Sequence, residues 1–439
     1  MSRSFAIITL GCKLNFSESS TIAREFESHG YIRTAYTKAA DLYIVNSCSV
    51  TEHADKKCRQ HIRQLHRINP EAVIVVTGCF AQLKSKEVSE IEGVNIVVGI
   101  EHKGEIYSIV HKYFDSNGKF NSICNTSTFT ESQRDNDIAV HKQIFSCNIT
   151  DVNSVFPAYS QGERTRSFLK IQDGCDYRCS YCTIPLARGA SRNLPIELLV
   201  KQGKEIAAKG VKEIVLTGVN TGDFGRTTGE SLLDLLKALN DIEGIERYRI
   251  SSIEPNLLTR EIIEWIASGT KIQPHFHIPL QCGSDAVLAK MRRRYNTTMF
   301  ASKIDMIREI MGDVFFGIDV IAGFPAETDE CFEECYNFLA ERIRPAFIHV
   351  FPYSMRADTP AALMPQVQDC IKTRRTHRLL ELCDRLYAEY VARFKGTTQK
   401  VLFESTQKGG MMYGYTGNYI KVERPYDRNL ISRIVEVKL

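Results

Sequence analysis

Three closely spaced cysteines are the residues of this chain best suited to chemistry. Cys175, Cys179 and Cys182 follow a strand-like run over residues 167–172 and are spaced C-x3-C-x2-C. A structural zinc site takes four protein ligands, whereas iron–sulfur cubes are held by cysteine thiolates at short spacings of this kind. A cube held by only three cysteines leaves one iron open to a substrate or cofactor. The spacing therefore favours an iron–sulfur cluster over two alternatives, which are buried apolar cysteines and a zinc site completed by a distant histidine.

A second set of cysteines recurs at regular places near the start of the chain. Apolar runs typical of buried strands occur at residues 5–10, 42–45, 72–77 and 94–98. Helical patterns separate or follow them at 17–28, 52–67, 82–91 and 103–113. Each of the first three predicted strands ends just before a cysteine, and these cysteines are Cys12, Cys48 and Cys79. Alternating strands and helices predict a doubly wound parallel sheet, whose ligands gather at the carboxyl ends of the strands, so we expect one shared metal site. Separate buried cysteines are the alternative.

The middle of the chain repeats a strand and a helix six times. The predicted strands are 168–172, 213–217, 248–252, 275–280, 316–321 and 347–351. The predicted helices are 196–209, 231–242, 259–268, 284–293, 298–311 and 327–342. Such repeats predict a partial parallel (β/α)6 barrel with its active site at the carboxyl ends of the strands. The three-cysteine loop follows the first of these strands.

Polar residues and glycines follow the other barrel strands. The candidates for binding a cofactor at this opening are Gly218, Asn220, Ser252, Glu254, Gln281 and Asp319. Each would be ordinary loop chemistry by itself. Together they surround one opening with hydrogen-bonding groups, as a nucleoside-containing ligand requires.

The C-terminal segment differs from the rest in charge and pattern. The whole chain has a net charge of +4, but residues 371–439 hold 14 Lys and Arg against 7 Asp and Glu, which is +7. A basic helix at 372–394 precedes short strands predicted at 400–404, 412–415, 419–422 and 430–437, a pattern that suits a small antiparallel barrel. A polyanionic partner such as nucleic acid fits this charge, and a solvated face is the alternative. Tyr413, Tyr415 and Tyr419 either stack on bases beside Lys421 and Arg424 or form the core.

Other bulk features limit the setting of the protein. The chain has 439 residues with 14 cysteines, and neither a secretory signal nor a run long enough for a membrane span is visible. Reduced thiols in the cytoplasm are therefore expected rather than a disulfide framework. Nothing in the pattern demands an oligomer, and a monomer is compatible with it. Residues 121–163, rich in Ser, Thr, Asn and Asp, are predicted to be a linker.

These features together resemble the radical S-adenosylmethionine (SAM) methylthiotransferase family over essentially the whole chain. The resemblance rests on the Cys175, Cys179 and Cys182 motif in a β/α barrel, the three spaced N-terminal cysteines and a basic C-terminal barrel similar to a TRAM domain. The contexts of residues 9–15, 166–175 and 291–295 resemble the MtaB group, which modifies N6-threonylcarbamoyladenosine in tRNA. The Gly-Gly-Glu motif typical of radical SAM proteins is replaced by Gly218-Val219-Asn220.

The resemblance implies four segments and two iron–sulfur sites. The segments are 1–120 (N-terminal methylthiotransferase domain), 121–163 (linker), 164–370 (radical SAM core) and 371–439 (basic helix and TRAM-like barrel). Cys175, Cys179 and Cys182 would hold a [4Fe–4S] cluster that binds and cleaves SAM. A second [4Fe–4S] cluster on the N-terminal cysteine trio would carry the sulfur. No catalytic side chain is implied beyond these ligands.

The implied reaction is methylthiolation of N6-threonylcarbamoyladenosine at C2 of adenine 37, on the 3′ side of the tRNA anticodon. It would use two SAM molecules, as methyl donor and as radical source. The implied partners are the tRNA anticodon stem-loop, an electron donor such as flavodoxin or ferredoxin, and a sulfur source. Three alternatives stay open: the same chemistry on isopentenyladenosine in tRNA, the same chemistry on a ribosomal protein, and a non-enzymatic zinc or nucleic-acid-binding protein.

Overall fold

The structure, a computed structural model, describes residues 2–49, 51–116 and 142–439. These residues form two compact units. Unit 1 comprises Met1–Ser160, Gly174–Asp176 and Thr183–Ala190, and unit 2 comprises Gln161–Asp173, Tyr177–Cys182 and Ser191–Leu439. The predicted linker at 121–163 lies outside the described residues as far as residue 141. Among the described helices, none combines the length and apolar character that crossing a membrane requires.

Unit 1 is built on a six-stranded parallel sheet with the strand order β2-β1-β3-β4-β5-β6. Its strands are β1 (Ser4–Thr9), β2 (Ile32–Arg33), β3 (Leu42–Ser47), β4 (Val73–Gly78), β5 (Ile96–Val98) and β6 (Gln143–Phe145). Its helices are α1 (Lys13–Ser28), α2 (Glu52–Ile68), α3 (Cys79–Leu83), α4 (Ser85–Ser89), α5 (Ile106–Asp115) and α6 (Ile184–Arg188). The doubly wound parallel sheet expected from the sequence is confirmed.

The central strands of this sheet are buried on both faces, which explains their continuous apolar runs. Tyr43 and Val45 belong to one core cluster, whereas Leu42 and Ile44 belong to another on the opposite face. The helix predicted at 82–91 is in fact two short helices, because Lys84 has a non-helical backbone between them.

Unit 2 contains six parallel strands in the expected alternation with helices. The parallel strands are β7 (Ser167–Lys170), β10 (Glu213–Thr217), β11 (Arg247–Ile250), β12 (His275–Gln281), β13 (Phe315–Ala322) and β14 (Phe347–Pro352). A short antiparallel pair, β8 (Gln172–Asp173) and β9 (Arg192–Asn193), lies between β7 and β10 in the chain. The helices are α7 (Ile196–Ala208), α8 (Leu232–Asn240), α9 (Arg260–Ala267), α10 (Asp285–Lys290), α11 (Thr297–Met311) and α12 (Asp329–Asn337). Strands β11-β10-β7 and β12-β13-β14 form two parallel sheets, linked by bridges from Tyr248 to Ile272 and from Ser252 to His277. The partial barrel is confirmed.

Alternation along the barrel strands decides which side chains face the lumen. On β12, Phe276, Ile278 and Leu280 have no exposed surface, because they pack beneath the surrounding helices. The residues between them include His275 and His277, which are only partly buried. Polar side chains therefore lie on the lumen face of the barrel.

The C-terminal part of unit 2 is a long helix followed by an antiparallel sheet. It comprises α13 (Asp369–Ala392), β15 (Thr398–Lys408), β16 (Met411–Thr416), β17 (Lys421–Pro425) and β18 (Ile434–Lys438). The sheet has the order β17-β16-β15-β18 and curls into a half-barrel. It packs against the amino ends of the barrel strands, where Arg249 donates to the carbonyl oxygens of Thr416 and Gly417 at 2.8 and 2.7 Å.

Candidate metal centres and active site

The three N-terminal cysteines lie at the carboxyl ends of three adjacent strands. Cys12 caps α1 after β1, Cys48 follows β3, and Cys79 follows β4 as the first residue of α3. Strands β1, β3 and β4 are neighbours in the sheet. Cys48 and Cys79 are 6% and 4% exposed, whereas Cys12 is exposed. The sheet thus gathers the three thiols at one edge, as the sequence predicts.

Two glycines allow the strand ends to approach one another. Gly11 has a φ of +94°, and a Cβ there would lie 2.6 Å from the Cβ and 2.7 Å from the Sγ of Cys48. Gly78 has a φ of +99°, and a Cβ there would lie 2.2 Å from the carbonyl oxygen of Ser47. Both positions need a residue without a side chain for steric and conformational reasons. Each glycine directly precedes a cysteine, so the close approach positions the thiols.

Buried amides tie the same strand ends together. Asn15 donates through Nδ2 to the carbonyl oxygens of Leu10 and Ser47 at 2.8 and 2.9 Å. Asn46 in turn donates to the carbonyl oxygen of Asn15 at 3.0 Å. These hydrogen bonds satisfy carbonyl groups that the strands leave unpaired, and they fix the distances between the loops that carry the cysteines.

A buried group of charges lies beside this cysteine site. Arg188 donates to Asn15 Oδ1 at 2.6 Å and to Glu18 Oε1 at 3.2 Å, and Lys103 also pairs with Glu18. The three charged side chains are at most 1% exposed. Burial raises the pKa of the Cys79 thiol, while Arg188 and Lys103 act in the opposite direction.

Arg188 and Lys103 bring two buried cations close to the Cys79 thiol, and Arg188 also forms a side-chain hydrogen bond with it. Buried cations are costly unless negative charge lies next to them. Three thiolates around a metal cluster supply that negative charge, because metal binding deprotonates the thiols. The residues present therefore fit a cluster held by Cys12, Cys48 and Cys79.

The second cysteine motif occupies the loop after β8. Gly174, with a φ of +73°, lies so close to Ala190 that a Cβ would come 1.9 Å from its carbonyl oxygen. The neighbouring Cys175 donates its backbone N–H to Gly189 O at 3.0 Å. Within unit 2, Cys182 donates its backbone N–H to Cys179 O at 3.1 Å. The loop is thus pinned on each side of the motif by backbone contacts.

Arg293 is the main polar partner of this motif within unit 2. It donates to Cys179 Sγ at 3.0 Å, to Tyr295 Oη at 2.9 Å and to Glu254 Oε2 at 2.5 Å. Burial raises the pKa of the Glu254 carboxyl, and Arg293 opposes that shift. A guanidinium that donates to a thiolate stabilises its charged form, so this group of residues suits a cysteine that ligates a metal.

The residues predicted to bind the cofactor are only partly brought together. Gln172 Oε1 accepts from the backbone N–H groups of Val219 and Asn220 at 2.9 and 3.0 Å, which shapes the turn that begins at Gly218. The Nδ2 of Asn220 is buried and has no hydrogen-bond partner among the residues that the structure describes, and its Oδ1 accepts from the Glu254 N–H at 3.4 Å. An unpartnered buried amide beside Glu254 is suited to a bound polar ligand.

The other three predicted residues lie on or just after the neighbouring strands β11, β12 and β13. The Ser252 carbonyl oxygen accepts from Thr221 Oγ1 at 2.9 Å, next to the turn. Gln281 adopts a φ of +69° where β12 shifts register against β13, a strained conformation typical of functional sites. Asp319 lies 2.6 Å from His277 Nε2, and it acts with burial to raise the pKa of the Glu254 carboxyl.

Two of the tyrosines considered for base stacking are packing residues. Tyr415 and Tyr419 stack on each other with centroids 4.8 Å apart, and Tyr419 also contacts His275 and Arg249. They close the amino end of the barrel. Tyr413 instead lies under Lys421, whose Nζ is 3.8 Å from its ring centroid.

Comparison with known proteins identifies the family. Residues 4–99 match the model of the uncharacterized protein family UPF0004, and residues 169–339 match the radical SAM superfamily. The chain is 39% identical, over 99% of its length and 93% of the relative, to the threonylcarbamoyladenosine tRNA methylthiotransferase MtaB of Bacillus subtilis. This chain belongs to the radical SAM methylthiotransferase family. As a radical SAM methylthiotransferase it is an enzyme that uses SAM and a [4Fe–4S] cluster.

Other relatives show how far the likeness to this radical SAM methylthiotransferase extends. The tRNA-2-methylthio-N(6)-dimethylallyladenosine synthase of Thermoanaerobacter pseudethanolicus is 32% identical over 99% of this chain and 90% of its own length. Among solved structures, the radical SAM methyltransferase TsrM of Kitasatospora setae matches with a TM-score of 0.56 at 15% identity, over 83% of this chain and 74% of TsrM. That structural likeness supports the fold alone.

Proposed function

We propose that this enzyme methylthiolates N6-threonylcarbamoyladenosine at C2 of adenine 37 in tRNA. The supporting observation is the full-length identity of 34–39% to four proteins named threonylcarbamoyladenosine tRNA methylthiotransferase, above the 32% to dimethylallyladenosine synthases. The basic C-terminal segment suits the tRNA anticodon stem-loop, and such a substrate is found in the cytoplasm.

The two cysteine sites divide the chemistry in this proposal. Cys175, Cys179 and Cys182 would hold a [4Fe–4S] cluster, which together with SAM would supply the radical chemistry needed to remove the unactivated hydrogen from C2. Arg293 donates to Cys179 and orients Glu254, so it holds one ligand and one side of the proposed SAM site in place. Gln172 holds the turn at Gly218 and Asn220 through two backbone N–H groups, which aims the Asn220 amide into the same site.

The N-terminal site is proposed to hold a second [4Fe–4S] cluster and to deliver the methylated sulfur. Cys12, Cys48 and Cys79 are its proposed ligands, and Arg188 and Lys103 offset its charge. A second SAM molecule provides the methyl group. An electron donor such as flavodoxin or ferredoxin and a sulfur source complete the proposed partners.

Nucleoside mass spectrometry tests the substrate. Bulk tRNA from cells that lack this gene is expected to lose 2-methylthio-N6-threonylcarbamoyladenosine and to regain it when the gene is restored. Loss of the methylthio form of isopentenyladenosine instead, or of a methylthio group on a ribosomal protein, would contradict the proposal.

Cysteine variants test the division of labour between the two sites. We expect Cys79→Ala to keep SAM cleavage, measured as 5′-deoxyadenosine, while forming no methylthio product. Cys179→Ala is expected to lose both activities. Anaerobically purified wild type should contain about eight iron atoms and each variant about four, since each cube has four. Cys58→Ala is the matched control, because Cys58 is a buried cysteine of the same unit that packs in the core. Methylthio product from Cys79→Ala would overturn the assignment.

A further inference from the structure

A polar trio lies on the lumen face of three adjacent barrel strands. His277 on β12, Asp319 on β13 and His349 on β14 place their ligating atoms within 4.8 Å of one another. Asp319 pairs in register with His349, so the two side chains leave the sheet on the same face. The imidazole rings of His277 and His349 have centroids 4.7 Å apart.

The local sequence makes room for this trio. Gly317 lies in register with His277, and a Cβ at Gly317 would lie 3.4 Å from His349 Nε2. Any larger side chain at Gly317 would occupy the space beside the imidazole. The neighbours Ile318 and Ile348 point to the other face, where they are at most 1% exposed. His277 and Asp319 keep 22% and 16% of their side-chain surface exposed, so a ligand in the lumen can reach them.

The trio borders the proposed SAM site. Glu254 is paired with Arg293 and Asp319 with His277, and Asp319 lies close enough to Glu254 to act on the pKa of its carboxyl. The backbone also links the two places, because Ser252 bridges to His277 and the N–H of Ile253 donates to His277 O at 3.1 Å. A molecule that reacts next to the proposed SAM site is thus adjacent to the trio.

Two ligand chemistries suit two imidazoles and a carboxylate. One is a divalent transition metal, for which this donor set is common. The other is an organic group with several hydrogen-bonding atoms. The direct 2.6 Å contact between His277 Nε2 and Asp319 Oδ1 favours the organic group. In that contact the two atoms share a proton, whereas a metal ion would need an unprotonated nitrogen as its ligand. A carboxylate that holds one histidine in a fixed orientation prepares its ring for hydrogen bonding.

We propose that His277, Asp319 and His349 bind the N6 substituent of the target adenosine and select threonylcarbamoyl over dimethylallyl. This inference rests on the proposed function. The threonylcarbamoyl group offers a carboxylate, a hydroxyl and urea N–H groups to the trio. The dimethylallyl group named for some relatives is a hydrocarbon. Next to a dimethylallyl group, the trio would lose its hydrogen bonds to water and gain none in return.

The lumen position also suits the geometry of the base. The reacting C2 and the C6 that bears the N6 substituent flank N1 in the pyrimidine ring of adenine, so the C2 hydrogen and the N6 substituent point in different directions. With C2 directed towards the proposed SAM site, the N6 substituent reaches a neighbouring part of the lumen wall, which strands β12 to β14 form. A site built to hydrogen-bond a substrate strongly rejects an analogue that lacks those groups, whereas an apolar pocket discriminates weakly.

The test compares three anticodon stem-loops that carry at position 37 either N6-threonylcarbamoyladenosine (the modified stem-loop), N6-dimethylallyladenosine or unmodified adenosine. Cluster-loaded protein is titrated with each, and KM and kcat are measured for the modified one. We expect His349→Phe to reduce the preference for the modified stem-loop about tenfold or more, chiefly through Kd and KM, because one hydrogen bond to a charged group is lost. His349→Gln, which keeps a hydrogen-bonding side chain, is expected to recover part of the preference.

His111→Phe is the matched control, since His111 is an exposed histidine of unit 1 paired with Asp115. An unchanged preference in His349→Phe, with wild type active on the modified stem-loop, would overturn the inference and leave the proposed function intact. Wild type inactive on the modified stem-loop would refute the proposed function itself. Stoichiometric Co²⁺ binding that His349→Phe abolishes would also overturn the inference, because it would assign the trio to a metal.

Discussion

At the scale of single residues, two buried arginines shape the surroundings of the cysteine thiols. Burial raises the pKa of the Cys79 thiol and Arg188 opposes that shift, while Arg293 donates to Cys179 Sγ at 3.0 Å. A guanidinium in either place stabilises the thiolate form that ligates a metal.

Arg188 gives the sharpest prediction at this scale. Arg188→Met removes one partner of a fully buried ion pair, and we expect it to lower the stability of unit 1 by about 3–5 kcal/mol. The N-terminal site should also lose its iron, which leaves about four atoms per chain. Iron analysis and the urea midpoint of unfolding measure the two effects.

Arg342→Met is the control for that experiment. Arg342 pairs with Asp305, and both side chains are nearly half exposed, so its loss should change stability by about 1 kcal/mol or less. If Arg188→Met matched this control in stability and kept its full iron content, the role inferred for Arg188 beside the cysteine site would be wrong.

The sequence predicts the cysteines but not their arginine partners. Spacing predicts Cys175, Cys179 and Cys182 as one motif, and the ends of apolar runs predict the N-terminal trio. Arg188 and Arg293 carry no such signal, because an arginine in a loop is ordinarily a solvated surface residue. Their role depends on burial next to a thiol, which only the folded chain creates.

At the scale of elements, buried strands are predicted more accurately than exposed ones. Buried strands such as β3 and β4 show continuous apolar runs, and their bounds differ from the prediction by at most two residues. The C-terminal strands β15, β17 and β18 differ from the predicted 400–404, 419–422 and 430–437 by up to four residues at one end. Helix α1 begins at Lys13, four residues before the predicted start. Its N-cap residue is Cys12, whose side chain makes no capping hydrogen bond, so the usual sequence signal for a helix start is missing. Sequence signals for helix starts rely on a capping oxygen, which a cysteine lacks.

The turn between β1 and α1 supplies a prediction at this scale. Gly11→Ala places a methyl group 2.6 Å from Cys48 Cβ and forces a left-handed backbone on alanine, so we expect loss of the N-terminal iron. Gly30→Ala is the matched control, since Gly30 has a φ of +82° and nothing within 4 Å of its Cβ. The control should lose only about 1–2 kcal/mol and keep its iron. Equal iron content in the two variants would show that close packing at Gly11 is not required.

At the scale of the whole molecule, the distribution of charge predicts how the protein binds the proposed tRNA substrate. Residues 371–439 have a net charge of +7, and Lys421 lies over Tyr413 on the C-terminal sheet. We expect the affinity for the anticodon stem-loop to fall steeply with salt, with Lys421→Ala reducing the slope of log K against log salt by about one. Binding isotherms between about 50 and 200 mM salt measure it.

Lys56→Ala is the control for salt dependence. Lys56 is already paired with Glu52 at 2.8 Å on α2, so its removal should leave the slope unchanged. A Lys421→Ala slope equal to that of wild type would place the phosphate contacts elsewhere.

The packing of the C-terminal sheet was not predictable from composition. Tyr415 and Tyr419 have the same sequence signal as tyrosines that stack on bases, yet they contact Arg166, Arg249 and His275. Tyrosines at alternating positions predict that one face of the C-terminal sheet is apolar, but they do not predict which part of the protein or which ligand covers that face.

The closed amino end of the barrel limits the route by which small products leave the lumen. Arg249 and Tyr419 seal the base of the lumen, with Glu213 buried beneath the guanidinium. In the proposed reaction, methionine and 5′-deoxyadenosine formed from one SAM molecule therefore have to leave at the carboxyl end of the barrel strands, by the same opening that admits the next SAM molecule.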